Sequence, residues 1–234
     1  RIMAYTNIDD PSAYFQTFTY TGNQSGRQIT LDGNSDLQPD LYWYKARNAN
    51  HHYWVDSSRG TTKYIYSSLA NAEATVASAY VTSFNTNGFG VGGGDSGTNA
   101  NGISFGNWAW KANGGTTASN TDGSLTSTVQ ANQDAGFSIV TYTAADSDEV
   151  IGHGLGVTPD VIIIKRRDAG SSPWTVFFPY LTSTNKQMYL NQTTALDTNN
   201  VKEVGASTFR VSGWQAVAVA NGTYVAYCFA EKQG

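Results

Sequence analysis

The apolar positions of this chain come in short runs. Leu41 to Arg47 and Asp160 to Arg167 are β-branched or aromatic stretches, each preceded by a proline that disfavours helix upstream. In Phe105 to Trp110 the set Phe105, Asn107, Ala109 alternates with Gly106, Trp108, Trp110. One set is expected to face a core and the other a surface or a neighbouring sheet. Tyr224 to Phe229 lacks that alternation, which suits a strand buried on both faces. Asn87-Gly88, Asn101-Gly102, Asn113-Gly114, Asp122-Gly123 and Asn221-Gly222 are turn dipeptides that tolerate positive φ. The exception is Ser67 to Tyr80, where alanines at 70, 72, 74, 77 and 79 allow a short helix, with Thr193 to Val204 as its weakly helical counterpart; one short helix or a structured loop is expected there.

The pattern occurs twice. Pro39-Asp40 and the run to Arg47 recur as Pro159-Asp160 and the run to Arg167, and Trp54 recurs as Trp174. Phe15-Gln-Thr-Phe-Thr-Tyr-Thr21 matches Phe137-Ser-Ile-Val-Thr-Tyr-Thr143, and Asn101 to Trp110 matches Asn221 to Phe229. Lys63 to Tyr66 and Gly88 to Val91 have counterparts at Lys186 to Tyr189 and Thr208 to Val211. Self-similarity kept in order over this span predicts two copies of one domain. The expected fold is all-β: two tandem homologous β-sandwich domains, 1–115 and 116–234, with at most one short helix each. The Ser/Thr-rich segment Asn113 to Asp134 reads as a linker, with Leu125 and Val129 in a strand leading into the second copy; Arg1 to Pro11 is the matching lead-in of the first.

Composition narrows the partners. Of 234 residues, 14% are charged, while Thr, Ser, Asn and Gly total 91, so a disordered acidic or basic chain and a coiled coil are both excluded. The net charge of −4, with no basic block beyond Lys165-Arg166-Arg167, argues against nucleic acid. The longest apolar run is Val161 to Ile164, so no ~20-residue membrane span exists. The start lacks a signal-peptide pattern, and the ends read as cut from a longer chain. A single cysteine, Cys228, excludes an internal disulfide and a cysteine metal site; between Tyr227 and Phe229 it is expected to be buried and inert.

Candidate chemistry is sparse. His51-His52, beside Tyr53-Trp54, lacks a third ligand at a usual metal spacing and reads as an exposed aromatic loop. Gly152-His-Gly-Leu-Gly156 is followed by Pro159 and a strand rather than a nucleotide-binding helix, and reads as a turn. Asp32-Gly-Asn34-Ser-Asp36 matches the opening of a calcium loop, but Leu37 and Trp43 stand where that loop needs Gly and Glu; an Asx-rich turn is expected. No Gly-x-Ser-x-Gly elbow is present. Trp54 and Trp174 are expected in the sandwich cores, and Tyr42-Trp43-Tyr44 must place aromatics on both faces of its strand, either for packing or as a platform for sugars. The candidate receptor or partner contacts are His51, His52, Tyr53, Tyr42, Tyr44 and Arg59. No catalytic residue, metal or cofactor is expected.

Several stretches resemble virion structural proteins, often labelled tail fibre proteins, of tailed bacteriophages, especially marine ones. They include Tyr5 to Gln16, Thr19 to Gly22, Asp56-Ser-Ser-Arg59-Gly60, Glu73-Ala-Thr75 and Val81 to Phe84. Trp108 to Lys111, Phe137 to Thr143, Gly152 to Gly156 and Tyr224 to Gly234 belong to the same set. Asp56 to Gly60 has no counterpart in the second copy. The resemblance implies a non-enzymatic particle protein of the virion, in a tail fibre or spike involved in host attachment. It implies a homo-oligomer, a trimer by analogy, with other virion proteins and a host cell-surface glycan or protein as partners. A capsid decoration or head fibre, and a polysaccharide-cleaving tailspike enzyme, are the alternatives.

Overall fold

The computed structural model describes residues 8–48, 51–76, 80–93, 97–178, 186–195, 197–198 and 200–232. The chain is all-β. Its contacts separate two compact units: one holds the described residues up to Ser68 together with Ala74–Gly115, the other holds Leu69–Glu73 and Thr116–Lys232.

The first unit opens with a 3-10 turn, Pro11–Ala13, capped by Asp10, whose carboxylate accepts from the backbone N–H of Ser12. Its strands are β1 (Phe15–Thr21), β2 (Arg27–Ile29), β3 (Leu41–Ala46), β4 (His52–Asp56), β5 (Lys63–Tyr66), β6 (Ala74–Thr75), β7 (Val81–Asn85), β8 (Gly88–Val91) and β9 (Ser104–Trp110). They form a large antiparallel sheet in the order β1-β9-β3-β4-β5-β6 and a small one, β2-β8-β7. The second unit has β10 (Ala118–Asn120), β11 (Ser127–Asn132), β12 (Phe137–Thr143), β13 (Asp148–Gly152), β14 (Val161–Arg166), β15 (Thr175–Phe177), β16 (Lys186–Tyr189), β17 (Asp197–Thr198), β18 (Val201–Lys202), β19 (Thr208–Ser212) and β20 (Thr223–Phe229). Here the large sheet runs β10-β11-β12-β20-β14-β15-β16-β17 and the small one β13-β19-β18. From β12 onward this is the strand order of the first unit, and the registers agree too. Phe15 and Leu41 both face Trp110, as Phe137 and Val161 both face Phe229.

In each unit the small sheet covers one face of the large sheet, and the core lies between them. In the first unit Tyr42, Tyr44, Tyr53, Val55 and Ala109 meet Ile29, Val81, Phe89 and Val91. The rings stack: Tyr42 and Phe89 are 4.1 Å apart, and Tyr44 lies parallel to Tyr53 at 4.9 Å. The second core is more aliphatic. Val140, Ile162, Ile164 and Ala226 pack on Ile151, Val201, Phe209 and Val211, with Tyr142 and Tyr224 stacked at 5.0 Å.

The Pro-Asp pairs explain where β3 and β14 start. Proline holds the preceding residue extended, and the aspartate ties its strand to the chain leaving β9 or β20. Asp40 accepts from the N–H groups of Ala112 and Gly114, and Asp160 accepts from that of Glu231.

Of the short helix or structured loop expected over Ser67 to Tyr80, the described residues take the second form, with the short strand β6 at its end. Its first alanines recur every second residue, not every third or fourth, so they gather no helical face. The backbone there bonds elsewhere: the Glu73 N–H donates to the Arg167 carbonyl, and Ala74–Thr75 pairs with Lys63 and Tyr64. Residues 77–79 lie outside the described residues, as do the lead-in residues Arg1 to Asn7. In Thr193 to Val204 the described residues hold β17 and β18 instead of a helix.

Candidate binding face

Period-two alternation decides the fate of the tyrosines. With Tyr42 and Tyr44 turned into the core, Trp43 between them faces outward, and Tyr53, opposite Tyr44 in register, shares the inner face. Tyr42 and Tyr44 are fully buried and Tyr53 is 5% exposed. Tyr42 donates from Oη to Oδ1 of the buried Asn107 at 2.5 Å, and burial holds its phenol well above the usual range. The three tyrosines are core residues, not the surface contacts expected of them.

Arg59 is also turned inward. Its guanidinium meets the Asp56 carboxylate at 2.5 Å with both side chains buried, and it donates to the carbonyl of Trp54. The Asp56 to Gly60 motif is thus a buried ion pair that closes the turn from β4 to β5, and Arg59 presents no charge to a partner. His51 remains exposed just before β4, its ring edge-on to Tyr66 at 5.0 Å. His52 belongs to β4 rather than to a loop. Partial burial lowers its pKa, and the Lys45 ammonium and His51 act in the same direction. No group of three His, Cys, Asp or Glu side chains able to hold a metal exists among the described residues.

The Asp32 to Asp36 segment is a stitched turn. The Gln16 amide donates to the Ser35 carbonyl and accepts from the Gly33 N–H, and the Ser35 hydroxyl donates to Asp10. His153 is buried, contacting the Gly205 carbonyl through Nε2 and accepting the Leu155 N–H at Nδ1, and burial lowers its pKa. The Cys228 thiol is buried and pushed up to about 12 by desolvation, so it stays a thiol at neutral pH.

Trp54 and Trp174 are buried, but not between the sheets. Both lie on the outer face of their large sheet, away from the core: Trp54 sits against Trp43 at 5.3 Å, and Trp174 stacks on Tyr227 at 6.4 Å. In the first unit that face carries a row of aromatics and hydroxyls. Trp43 and Trp108 are neighbours at 5.1 Å, and Thr17 stands opposite Trp108 with Thr19 opposite Gly106. Thr17 and Thr19 are exposed, and the two tryptophans are half-buried. A groove of about 480 Å³ opens here, lined by Thr17, Phe18 and Thr19 of β1, Gly106, Asn107 and Trp108 of β9, and Asp32. A smaller hollow of about 220 Å³ in the second unit is lined mainly by threonines in and just before β11 and in β12, with Tyr142 and Arg167. The sequence held the signal for the first groove: a glycine inside an alternating aromatic strand leaves a gap in an otherwise filled face.

Fold and surface together define an all-β protein of sheet-on-sheet units with an open polar-aromatic face on the first. The chain belongs to a family described as a domain of unknown function, DUF7483, which matches residues 10–234 and so takes in both units as one stretch. Neither the curated proteins nor the solved structures include a significant match.

Proposed function

We propose that the chain is a non-catalytic structural part of a tailed-bacteriophage particle, in a tail fibre or spike engaged in host attachment. The observation that carries this reading is the use of one strand order and one register twice along a single chain, read as duplication of one module. Repeating one folded module along a chain is an economical way to make a large structural protein from a single folding solution. The resemblance of both copies to tail-fibre sequences supports it. So does a weakly charged surface rich in Ser, Thr and Asn, suited to hydrogen bonding with host surface groups. By analogy the assembly is a symmetric homo-oligomer, a trimer, in contact with other virion proteins.

The test is a density map or gold labelling of intact virions with antibody to this chain, joined to sedimentation of the purified protein. Label on the tail and a trimeric species are the expected results. Label on the head would move the assignment to a capsid decoration. A monomer, together with normal adsorption by virions that lack the chain, would overturn the reading. Release of reducing sugar from host surface polysaccharide would favour the tailspike enzyme instead.

A further inference from the structure

Two features of the first unit's outer face set it apart from the same face of the second. The register places Thr17, Thr19, Gly106 and Trp108 where the second unit has Ile139, Thr141, Val225 and Tyr227. Ile139, Val225 and Tyr227 are fully buried. In the first unit Thr17 and Thr19 are exposed, and a side chain built on Gly106 would meet nothing within 4 Å. The position that Val225 fills is open above Gly106, and Trp108, Thr17 and Thr19 line the groove around it.

The backbone differs as well. In β1 the residues that bond β9 are the even ones, as the Gly22 N–H to Ile103 carbonyl and the Lys111 N–H to Tyr14 carbonyl bonds show. Thr17 and Thr19 therefore point their N–H and C=O groups away from the sheet. At the matching edge of the second unit, β11 occupies those groups, pairing Gln130 with Ile139 and Thr128 with Thr141. Among the described residues no strand pairs with β1 on that side.

We propose that this socket binds one ring of a neutral polysaccharide. A pyranose has a face of C–H bonds and a rim of hydroxyls. The C–H face suits the indole plane of Trp108. The rim suits the side chains of Thr17 and Thr19 and the Asp32 carboxylate, which can accept hydrogen bonds from two sugar hydroxyls. Charge selects the ligand class. Among the described residues that line the groove Asp32 is the one that carries charge; Lys45, opposite Gly106 on β3, is not in that lining and holds its ammonium on the carbonyl of Ala46. An anionic sugar seated in the groove would meet the Asp32 carboxylate in the lining itself, whereas a neutral one would meet no like charge. This inference deepens the attachment reading and rests on it for the source of the sugar.

The test uses the full chain on an array of neutral oligosaccharides (dextran, mannan and β-glucan fragments) beside sialylated and phosphorylated sets, with affinities from tryptophan fluorescence titration. Retention of at least one neutral class over the anionic sets is expected. Gly106→Val, which installs the second unit's own residue in open space, should weaken that binding by about tenfold or more at an unchanged thermal midpoint. Asp32→Asn, away from the core, should weaken it by a smaller factor. The inference falls if no neutral sugar is retained, if Gly106→Val binds as wild type does, or if that variant changes only the sedimentation coefficient, which would make the edge a contact between copies. Tail labelling of virions reads the attachment proposal separately: labelled tails without sugar binding would sink this inference alone.

Discussion

At the residue scale, side chains that look alike in the sequence divide by which way the strand turns them. Tyr42, Trp43 and Tyr44 are consecutive aromatics, and only the register with β4 and β9 tells which of them face the core. That a strand of aromatics must use both faces was legible; which face a second sheet covers was not, because it depends on β2, β7 and β8 closing over the inner side. Arg59 went astray for a related reason: an arginine in a turn reads as exposed until the Asp56 carboxylate three residues earlier is seen to share its burial. Breaking a buried ion pair strands the remaining charge, so Arg59→Ala should cost about 3 kcal/mol, read as a lower urea midpoint at unchanged m. A surface contact residue would lose nothing measurable. Gly88 was legible from Asn87-Gly88 alone. Its φ of +111° is strained for any residue with a side chain, and a Cβ there would press on the Ile29 carbonyl. Gly88→Ala should therefore destabilise the first unit by about 2 kcal/mol or more, checked by the same titration.

At the scale of elements, the alternating strands were legible, while in the alanine-rich segment the sequence left helix and structured loop open. Ala70 to Glu73 is held by partners distant in sequence: the Ala70 carbonyl accepts from Lys165 at 3.1 Å, and the Glu73 carboxylate grips Arg167 at 2.9 Å. No local propensity reports such bonds. Lys165 itself sits in β14, fully buried, donating also to the Ser172 carbonyl at 2.6 Å. Desolvation lowers its pKa from 10.5 to about 8, with Arg166 acting in the same direction. The unfolded chain thus binds this proton more tightly than the fold does. Below pH 8 the ammonium is charged in both states and its full penalty applies. Between 8 and 10.5 the fold gains as pH rises, and above 10.5 the penalty is gone. Cys228 and Tyr224 oppose it. Burial raises each to about 12, so their contributions are present below 9 and 10 and are lost as pH climbs further. Subtraction separates the two effects: the stability of wild type minus that of Lys165→Met should rise between pH 8 and 10.5 and be flat below 8, in paired denaturant titrations. A flat difference throughout would mean that Lys165 is solvated in the fold.

At the scale of the whole molecule, the halves of the sequence do not coincide with the units of the fold. The motif pairing split the chain by order, whereas the second unit also draws in Leu69–Glu73 from the earlier half. Cutting the chain before Thr116 would leave β10 to β20 with every strand pair of their two sheets intact, so the fragment 116–232 should fold, with a far-ultraviolet spectrum of the same β character. It would nevertheless lack two acceptors. The Lys165 ammonium would lose the Ala70 carbonyl, and Arg167 would lose a bidentate carboxylate whose side chain is 9% exposed against 23% for the guanidinium. A partly screened pair of this kind is worth about 1 kcal/mol, and a buried ammonium deprived of an acceptor costs more than that. The fragment should therefore unfold at lower urea than the same unit in the full chain, and Glu73→Gln in the full chain should reproduce only the smaller part of the loss. Equal midpoints for fragment and full chain would mean that Leu69–Glu73 decorates the second unit without supporting it, and the boundary drawn from sequence order would then describe its stability as well as its topology.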